Sequence, residues 1–347
     1  MTIVFLCRLF YPHIGGVEKH VYEVGKRLQK KGMKVLIITE QYDPSLAEKE
    51  IYKGFTIYRI PVRGSEKEKK YRIWNWLFAH KSLLKKAKII HCHDVTFWYM
   101  PFRILFPRKK IYNTFHGYEG DSVPTARALL VHKLSEVIAA GSIVVGDYLR
   151  KWYKSTTQYV TYGGVGVLRH EDDAHVKKIE EIVFIGRLDP EAGIMRFLDV
   201  MNILKQSGYQ VHLSVLGDGI LADEAKKFVR RHRLNVSFYG FVPEVGEFLA
   251  RADCVFTSRF LSTLESFAYR KYVFCLYNNP IHRDCFILSP FHQWMSIHGE
   301  SAKLAKSVIS LIHHPHSKDE DISRAHQWVK QQTWEKVTKL YLALWKI

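Results

Sequence analysis

Cysteine is scarce and scattered in this sequence: Cys7, Cys92, Cys254, Cys275 and Cys285 are the only five, and none stands in a C-x-x-C pair. That pattern supplies neither a disulfide framework nor a thiolate zinc site, and it fits a chain kept in a reducing compartment. Long apolar runs are also missing. Nothing approaches the roughly 20 residues that a membrane-spanning helix needs. The best candidate, Val137 to Gly146, is short, rich in small residues, and reads as the junction of a helix and a strand. The start, Met1-Thr-Ile-Val-Phe-Leu-Cys-Arg8, lacks the basic leader and cleavage site of a secretory signal, so it reads as a first strand. There is no short-period repeat. Acidic residues are in deficit, 34 against 52 Lys and Arg, for a net charge of +18.

What remains is ordinary globular material in sufficient amount. With 347 residues, 47% of them hydrophobic and 25% charged, the chain is long enough for two domains with full cores and unlike a disordered one. The positive charge is uneven. Residues 1–165 carry 28 Lys and Arg against 13 Asp and Glu, whereas the remainder carries 24 against 21. A basic first half favours anionic partners such as membrane lipids, lipid phosphates or nucleic acid; a merely solvated basic surface has the same composition.

The order of apolar segments predicts a doubly wound α/β chain. Ile3–Cys7 reads as a buried strand, Arg8 to Gly16 as a loop with a paired-glycine tip, and Val17–Lys31 as a helix carrying Val17, Val21, Val24 and Leu28 at helical spacing. Gly32 ends that helix and Lys34–Thr39 forms the next strand, which makes a βαβ unit and hence a parallel sheet. Strands are expected again at 55–60, 89–92, 110–115, 142–145 and 158–161. A polar stretch, Arg169 to Glu181, reads as a connector. A second series follows at 182–185, 211–216, 236–239, 254–257 and 273–276, and Trp328–Trp345 reads as one last amphipathic helix.

The richest segment runs from Ile182 to Ala268. Its strands end repeatedly in glycine-containing turns: Gly186-Arg187, Gly217-Asp-Gly219 and Gly240-Phe-Val242. Open α/β sheets build a ligand crevice at such strand ends. An arginine there suits a diphosphate, and Glu265 suits the hydroxyl pair of a ribose. Together they point to a sugar nucleotide.

These residues, with Gly15-Gly16-Val-Glu-Lys-His20, Ile89-Ile-His-Cys-His-Asp94, Asn113-Thr-Phe-His-Gly117 and Thr333-Trp-Glu-Lys336, resemble the family 4 (group 1) retaining glycosyltransferases of GT-B fold over essentially the whole chain. The resemblance implies two Rossmann-like domains facing across a cleft: residues 1–165 for the acceptor, 166–330 for the nucleotide sugar, and 331–347 as a helix crossing back to the first. It implies transfer of a hexose, with retention, from a UDP- or GDP-sugar to a glycolipid or polysaccharide precursor, with no cofactor and no catalytic metal. It also suggests a cytoplasmic enzyme, peripheral on the inner face of the membrane.

Roles follow from the resemblance residue by residue. Gly15 and Gly16 would let backbone N–H groups approach a phosphate, although an ordinary tight turn uses the same residues. Arg187 would neutralise the departing diphosphate. Glu265 would accept from the ribose hydroxyls, with N–H groups near Thr263 and Leu264 facing the phosphates. Gly217 lies at a donor-side strand end, and Phe241 and Val242 stand where the base is held, though a core aromatic fits there too. His116 would hydrogen-bond the sugar or the transition state. A metal cluster of His91, His93 and Asp94 is rejected, because His91 and His93 share one strand face with no further ligand.

Two departures stand out. Ala192 occupies the place of the family's phosphate-binding lysine, leaving Arg196, Arg259 or Arg270 to substitute, and Thr257 stands near the place of its first glutamate. A partner subunit with a decayed donor site, or a GT-B epimerase, are the alternative readings. Finally, Lys67–Lys88 interleaves eight Lys and Arg with Ile73, Trp74, Trp76, Leu77, Phe78, Leu83 and Leu84. On a helix this makes either an interfacial element for an anionic membrane or a sheet-covering helix with a solvated basic face. Single-stranded nucleic acid is disfavoured, since it leaves the strand-end motifs unexplained.

Overall fold

A computed structural model describes residues 1–117, 123–166 and 178–347. The polar connector read from Arg169 lies, as far as Lys177, outside the described residues. The chain forms two compact units: one takes in most of the chain up to Thr161 together with Trp334–Ile347, the other Tyr162–Thr333.

In the first unit β1 (Thr2–Cys7), α1 (Gly16–Lys30) and β2 (Lys34–Gln41) form the expected βαβ opening. They are followed by β3 (Lys49–Tyr52), β4 (Phe55–Pro61), α2 (Glu66–Ala79), α3 (Lys81–Lys86), β5 (Ile89–His93), α4 (Phe102–Leu105) and β6 (Ile111–Phe115). Then come α5 (Ala126–Ile138), β7 (Ser142–Val145), α6 (Tyr148–Tyr153) and β8 (Tyr159–Thr161). Among the described residues the sheet runs β3-β4-β2-β1-β5-β6-β7-β8, parallel except for β3. The strand order reverses between β1 and β5, and ligand crevices open at such a switch, beyond the carboxyl ends of the strands. The loops carrying Gly15, Asp94 and His116 all leave strands at that end.

The second unit contains β9 (Glu181–Ile185), α7 (Ile194–Gln206), β10 (His212–Leu216), α8 (Ala222–His232), β11 (Val236–Gly240), α9 (Gly246–Arg251) and β12 (Cys254–Phe256). It continues with α10 (Phe260–Ala268), β13 (Tyr272–Leu276), α11 (Pro280–Ile287), β14 (Ser296–His298), α12 (Ser301–His313) and α13 (Asp319–Lys330). Its parallel sheet has the order β11-β10-β9-β12-β13-β14, so the switch lies between β9 and β12. Phe184, Phe197, Phe256 and Leu213 fill its core. Each such side chain contributes roughly 1.5–3 kcal/mol by leaving water.

Three expectations change. The last helix is not continuous from Trp328 to Trp345: α13 stops at Lys330, and a separate C-terminal helix (Trp334–Trp345) belongs to the first unit. Between them the backbone extends, because Val165 donates its N–H to Gln332 O at 2.8 Å and forms a parallel bridge with Thr333. Second, Lys67–Lys88 is two helices broken at His80, whose ring stacks on Trp76 at 3.8 Å. Its apolar residues cover the sheet: Ile73, Leu77 and Leu84 are buried, and Trp74 Nε1 donates to Phe97 O at 3.0 Å. Trp74 and Trp76 are partly buried, and Tyr71 and Phe78 remain exposed. Third, the short strands β3 and β14 had no sequence signal. All five cysteines are free, and the four other than Cys285 are buried.

Candidate functional site

In the second unit the glycine-ended strands stitch their loops together. Gly186 N–H donates to Leu216 O (3.2 Å), Leu188 N–H to Asp218 O (2.9 Å) and Gly217 N–H to Gly240 O (2.7 Å). The approach is close enough to demand glycine. A Cβ at Gly217 would lie 1.8 Å from Gly186 O, and one at Gly219 would lie 2.5 Å from Leu188 O. Gly217 thus shapes the strand-end floor through packing. Phe241 follows β11 with half its surface exposed, so it is not a core aromatic, while Val242 is only partly buried.

Arg187 leaves β9 and Arg259 leaves β12, on either side of the switch. Asp189, buried between them, joins the two: Arg187 Nε lies 2.9 Å from Oδ2, and Arg259 Nη2 donates to Oδ1 at 3.4 Å. Arg259 also reaches Glu191 Oε2 at 3.3 Å. Both guanidiniums keep open surface, 65% and 38% of the side chain respectively. The Arg187 contact is an ion pair rather than a directed hydrogen bond, since Asp189 Oδ2 accepts none. Asp189 Oδ1 also accepts the N–H of Ala192 at 2.7 Å, closing the turn into α7. Asp189 was not singled out from the sequence. The Asp-Pro pair that marks a turn was its only signal.

Ala192 is 1% exposed, so the chain carries methyl and not cation at that point. Of the three suggested substitutes, Arg259 reaches this turn from the end of β12, through Asp189 and Glu191. Arg196 does not, because its fork is committed elsewhere: Nη1 donates to Tyr277 O (2.8 Å) and Asn278 Oδ1 (3.0 Å), and Nη2 to Gly299 O. Arg270 follows the far end of α10, with a left-handed backbone (φ 55°). Thr257 is buried and structural. Its hydroxyl donates to Ile185 O at 2.9 Å and accepts from Arg259 N at 3.3 Å.

The expectation for Thr263 and Leu264 is corrected. Thr263 N–H and hydroxyl both donate to Arg259 O, at 3.0 and 2.9 Å, and Leu264 is buried in a core cluster. The first N–H groups of α10 belong to Phe260, Leu261 and Ser262. Glu265 stands in the second turn of that helix, half-buried.

In the first unit, Gly15 caps α1 and Gly16 opens it. Buried Glu18 curls back so closely that a Cβ on Gly15 would lie 2.5 Å from its Oε2, and it accepts from His13 Nδ1 at 2.9 Å. The glycine therefore makes room for a carboxylate at the helix start as well as for any phosphate. His116, half-buried after β6, donates its backbone N–H to Asp94 Oδ1 (2.8 Å), and its Nε2 lies 2.9 Å from His93 Nδ1. His20, on the second turn of α1, crosses the His116 ring edge-on at 4.7 Å.

Behind them runs a chain of hydrogen bonds from the C-terminal helix. Trp345 Nε1 donates to His91 Nδ1 (3.1 Å), His91 Nε2 meets Thr114 Oγ1 (2.7 Å), Thr114 meets Tyr341 OH (2.7 Å), and Tyr341 meets His20 Nε2 (2.9 Å). Burial pushes His20 down to about 3; burial and neighbouring imidazoles hold His91, His93 and His116 well below the usual range. All four are neutral at physiological pH. Both His91 nitrogens are engaged within this chain, and no group of three metal-type ligands occurs among the described residues.

Two family models match the chain: "Glycosyltransferase Family 4" over residues 14–166 and "Glycosyl transferases group 1" over residues 169–331. Among curated proteins, the phosphatidylinositol N-acetylglucosaminyltransferase GPI3 subunit of Saccharomyces cerevisiae is 24% identical over 278 residues, covering 73% of this chain and 61% of the relative. The chain thus spans under two thirds of that protein. The phosphatidyl-myo-inositol mannosyltransferase of Mycobacterium tuberculosis is 23% identical over 263 residues, covering 71% of this chain and 68% of the relative. Among solved structures, Anabaena HepE, determined with UDP and glucose, superposes with a TM-score of 0.75 at 15% identity, covering 100% of this chain and 99% of HepE.

Proposed function

The chain belongs to the family 4 glycosyltransferases, GT-B in fold, and we propose that it moves a hexose from a UDP- or GDP-linked donor to a hydroxyl of a glycolipid or polysaccharide precursor, with retention. The observation that carries this reading is the pair Arg187 and Arg259, set on one buried carboxylate at the switch point of the second unit's sheet. Two guanidiniums with open surface there suit a diphosphate. As the bond from the sugar's anomeric carbon to the diphosphate breaks, they take up the developing negative charge. The acceptor oxygen forms its bond on the same face, and its proton passes to the departing diphosphate. The N–H groups of Leu261 and Ser262 at the start of α10 add donors, Glu265 receives the ribose hydroxyls, and Phe241 stacks on the base. This reading uses no cofactor and no metal.

The acceptor reading leans on the relatives' names, two of which place a sugar on an inositol phospholipid. His116 serves the sugar or acceptor in the first unit. The surplus of cations there suits an anionic membrane surface, and no described helix is long and apolar enough to cross a membrane. A second reading, a partner subunit with a weakened donor site, is favoured by one observation: buried Ala192 in place of the family's lysine.

Thermal shift with UDP, GDP and their sugars separates the two. Stabilisation by a nucleotide that disappears in Arg187→Ala and Glu265→Ala supports the transferase. A protein that responds to no nucleotide is the partner subunit.

A further inference from the structure

The hydrogen-bond network of the first unit has a direction, and the direction assigns protons. An indole N–H can only donate, so His91 Nδ1, which receives Trp345, is bare and the neutral ring carries its proton on Nε2. That proton goes to Thr114, the Thr114 hydroxyl donates to Tyr341, and Tyr341 donates to His20 Nε2. One donor serves one acceptor at each link, so no group in the chain is left with two protons facing each other.

The His93–His116 pair has its own constraint. His93 is 1% exposed and its Nε2 has no hydrogen-bond partner among the described residues. If His116 Nε2 donated to His93 Nδ1, the neutral His93 ring would carry its proton on Nε2 and bury an N–H with nothing to receive it. Orphaned buried N–H groups are rarer than under-satisfied acceptors. In the opposite arrangement His93 Nδ1–H donates to His116 Nε2 and only a lone pair is left unmet. His116, neutral, must then hold its own proton on Nδ1.

We propose that His93 is a positioning residue that fixes His116 as a neutral hydrogen-bond donor through Nδ1–H, so that His116 offers a proton-bearing edge to an oxygen of bound substrate and cannot serve as a general base. This rests on the transferase reading for the identity of the substrate, but the tautomer does not. Asp94 accepts the His116 backbone N–H, a contact separate from the ring contact of His116 with His93. Among the described residues, the rings packed against His116 are the imidazoles of His20 and His93, neither of which carries a negative charge that would stabilise an imidazolium.

The test is two-bond proton–nitrogen correlation on protein labelled with 15N-histidine, with His116 assigned by the signal lost in His116→Asn. A protonated Nδ1 and a bare Nε2 on His116 is the expected result; a protonated Nε2 overturns the proposal whether or not the protein is active. Kinetics give an independent reading. An asparagine places an amide N–H near where Nδ1 was, so both His116→Asn and His116→Leu lose activity, and His116→Leu loses more. His93→Asn, which still donates to His116, stays near wild type, whereas His93→Leu lowers kcat/KM about tenfold, the size of one mis-set hydrogen bond. Thermal melting of each variant separates misfolding from a lost tautomer. If the tautomer is as stated and no transfer occurs with any nucleotide sugar, the functional reading fails and this one stands.

Discussion

Arg187 and Arg259 meet on the two oxygens of one carboxylate, that of Asp189, at 2.9 and 3.4 Å. They come from the ends of two neighbouring strands, β9 and β12, and the shared anion sets the spacing of their charges. A second cation, absent at Ala192, thus stands at the end of a different strand. Arg187→Ala should lower kcat by roughly 100-fold or more, as expected for one donor to a developing charge. Arg259→Ala should act in the same direction, and the double variant should fall short of the product of the two because they share a partner. Steady-state transfer from a fixed donor checks this; independence of the two effects contradicts the coupling.

Asp189→Ala removes the anchor of both arginines and the acceptor for Ala192 N–H. Activity should fall with both cations still present. Stability should drop by about 1 kcal/mol from the lost cap, measured by urea denaturation. An Asp189→Ala protein with unchanged activity would remove the carboxylate from the argument.

Gly217→Ala forces a methyl to within 1.8 Å of a backbone oxygen that neighbouring hydrogen bonds hold in place. The loss should be on the order of 3 kcal/mol. Gly208, with positive φ but nothing within 4 Å, is the contrast: Gly208→Ala should cost about 1 kcal/mol from backbone strain alone.

Acid should weaken the first unit. Burial lowers His20 in the folded protein from 6.5 to about 3, so the unfolded chain takes up the proton first. Stability is complete above about pH 6.5 and falls as the pH drops towards 3, His20 alone removing about 2 kcal/mol at pH 5. His91, His93 and His116 act in the same sense. Denaturation at pH 7.5 and pH 5 should show the loss, and His20→Gln should flatten it. An equal slope in that variant would place the titration elsewhere.

Contact of the basic first unit with an anionic membrane is expected to be chiefly electrostatic, because Ile73, Leu77 and Leu84 of Lys67–Lys88 are buried against the sheet. Flotation with anionic vesicles should succeed at low salt and be abolished in 1 M salt, where the Debye length is about 3 Å. Binding indifferent to anionic lipid content, or none, would defeat the idea.

The periodicity of apolar residues was enough to determine the two parallel sheets, because a buried strand and a helix face each write their own spacing into the chain. Glycines at strand ends marked the donor-side edge for the same local reason: Gly217 must be glycine to let two loops touch. What sequence could not decide is which side chain answers which. Arg259 rather than Arg196 joins Arg187 because Arg196 is tied to Tyr277 O and Gly299 O, contacts made only when β13 and β14 are in place. The proton on His20 depends on Tyr341, 321 residues away. Local propensity reaches a few residues along the chain; charge spacing and tautomers are set by neighbours that folding alone brings within hydrogen-bond distance.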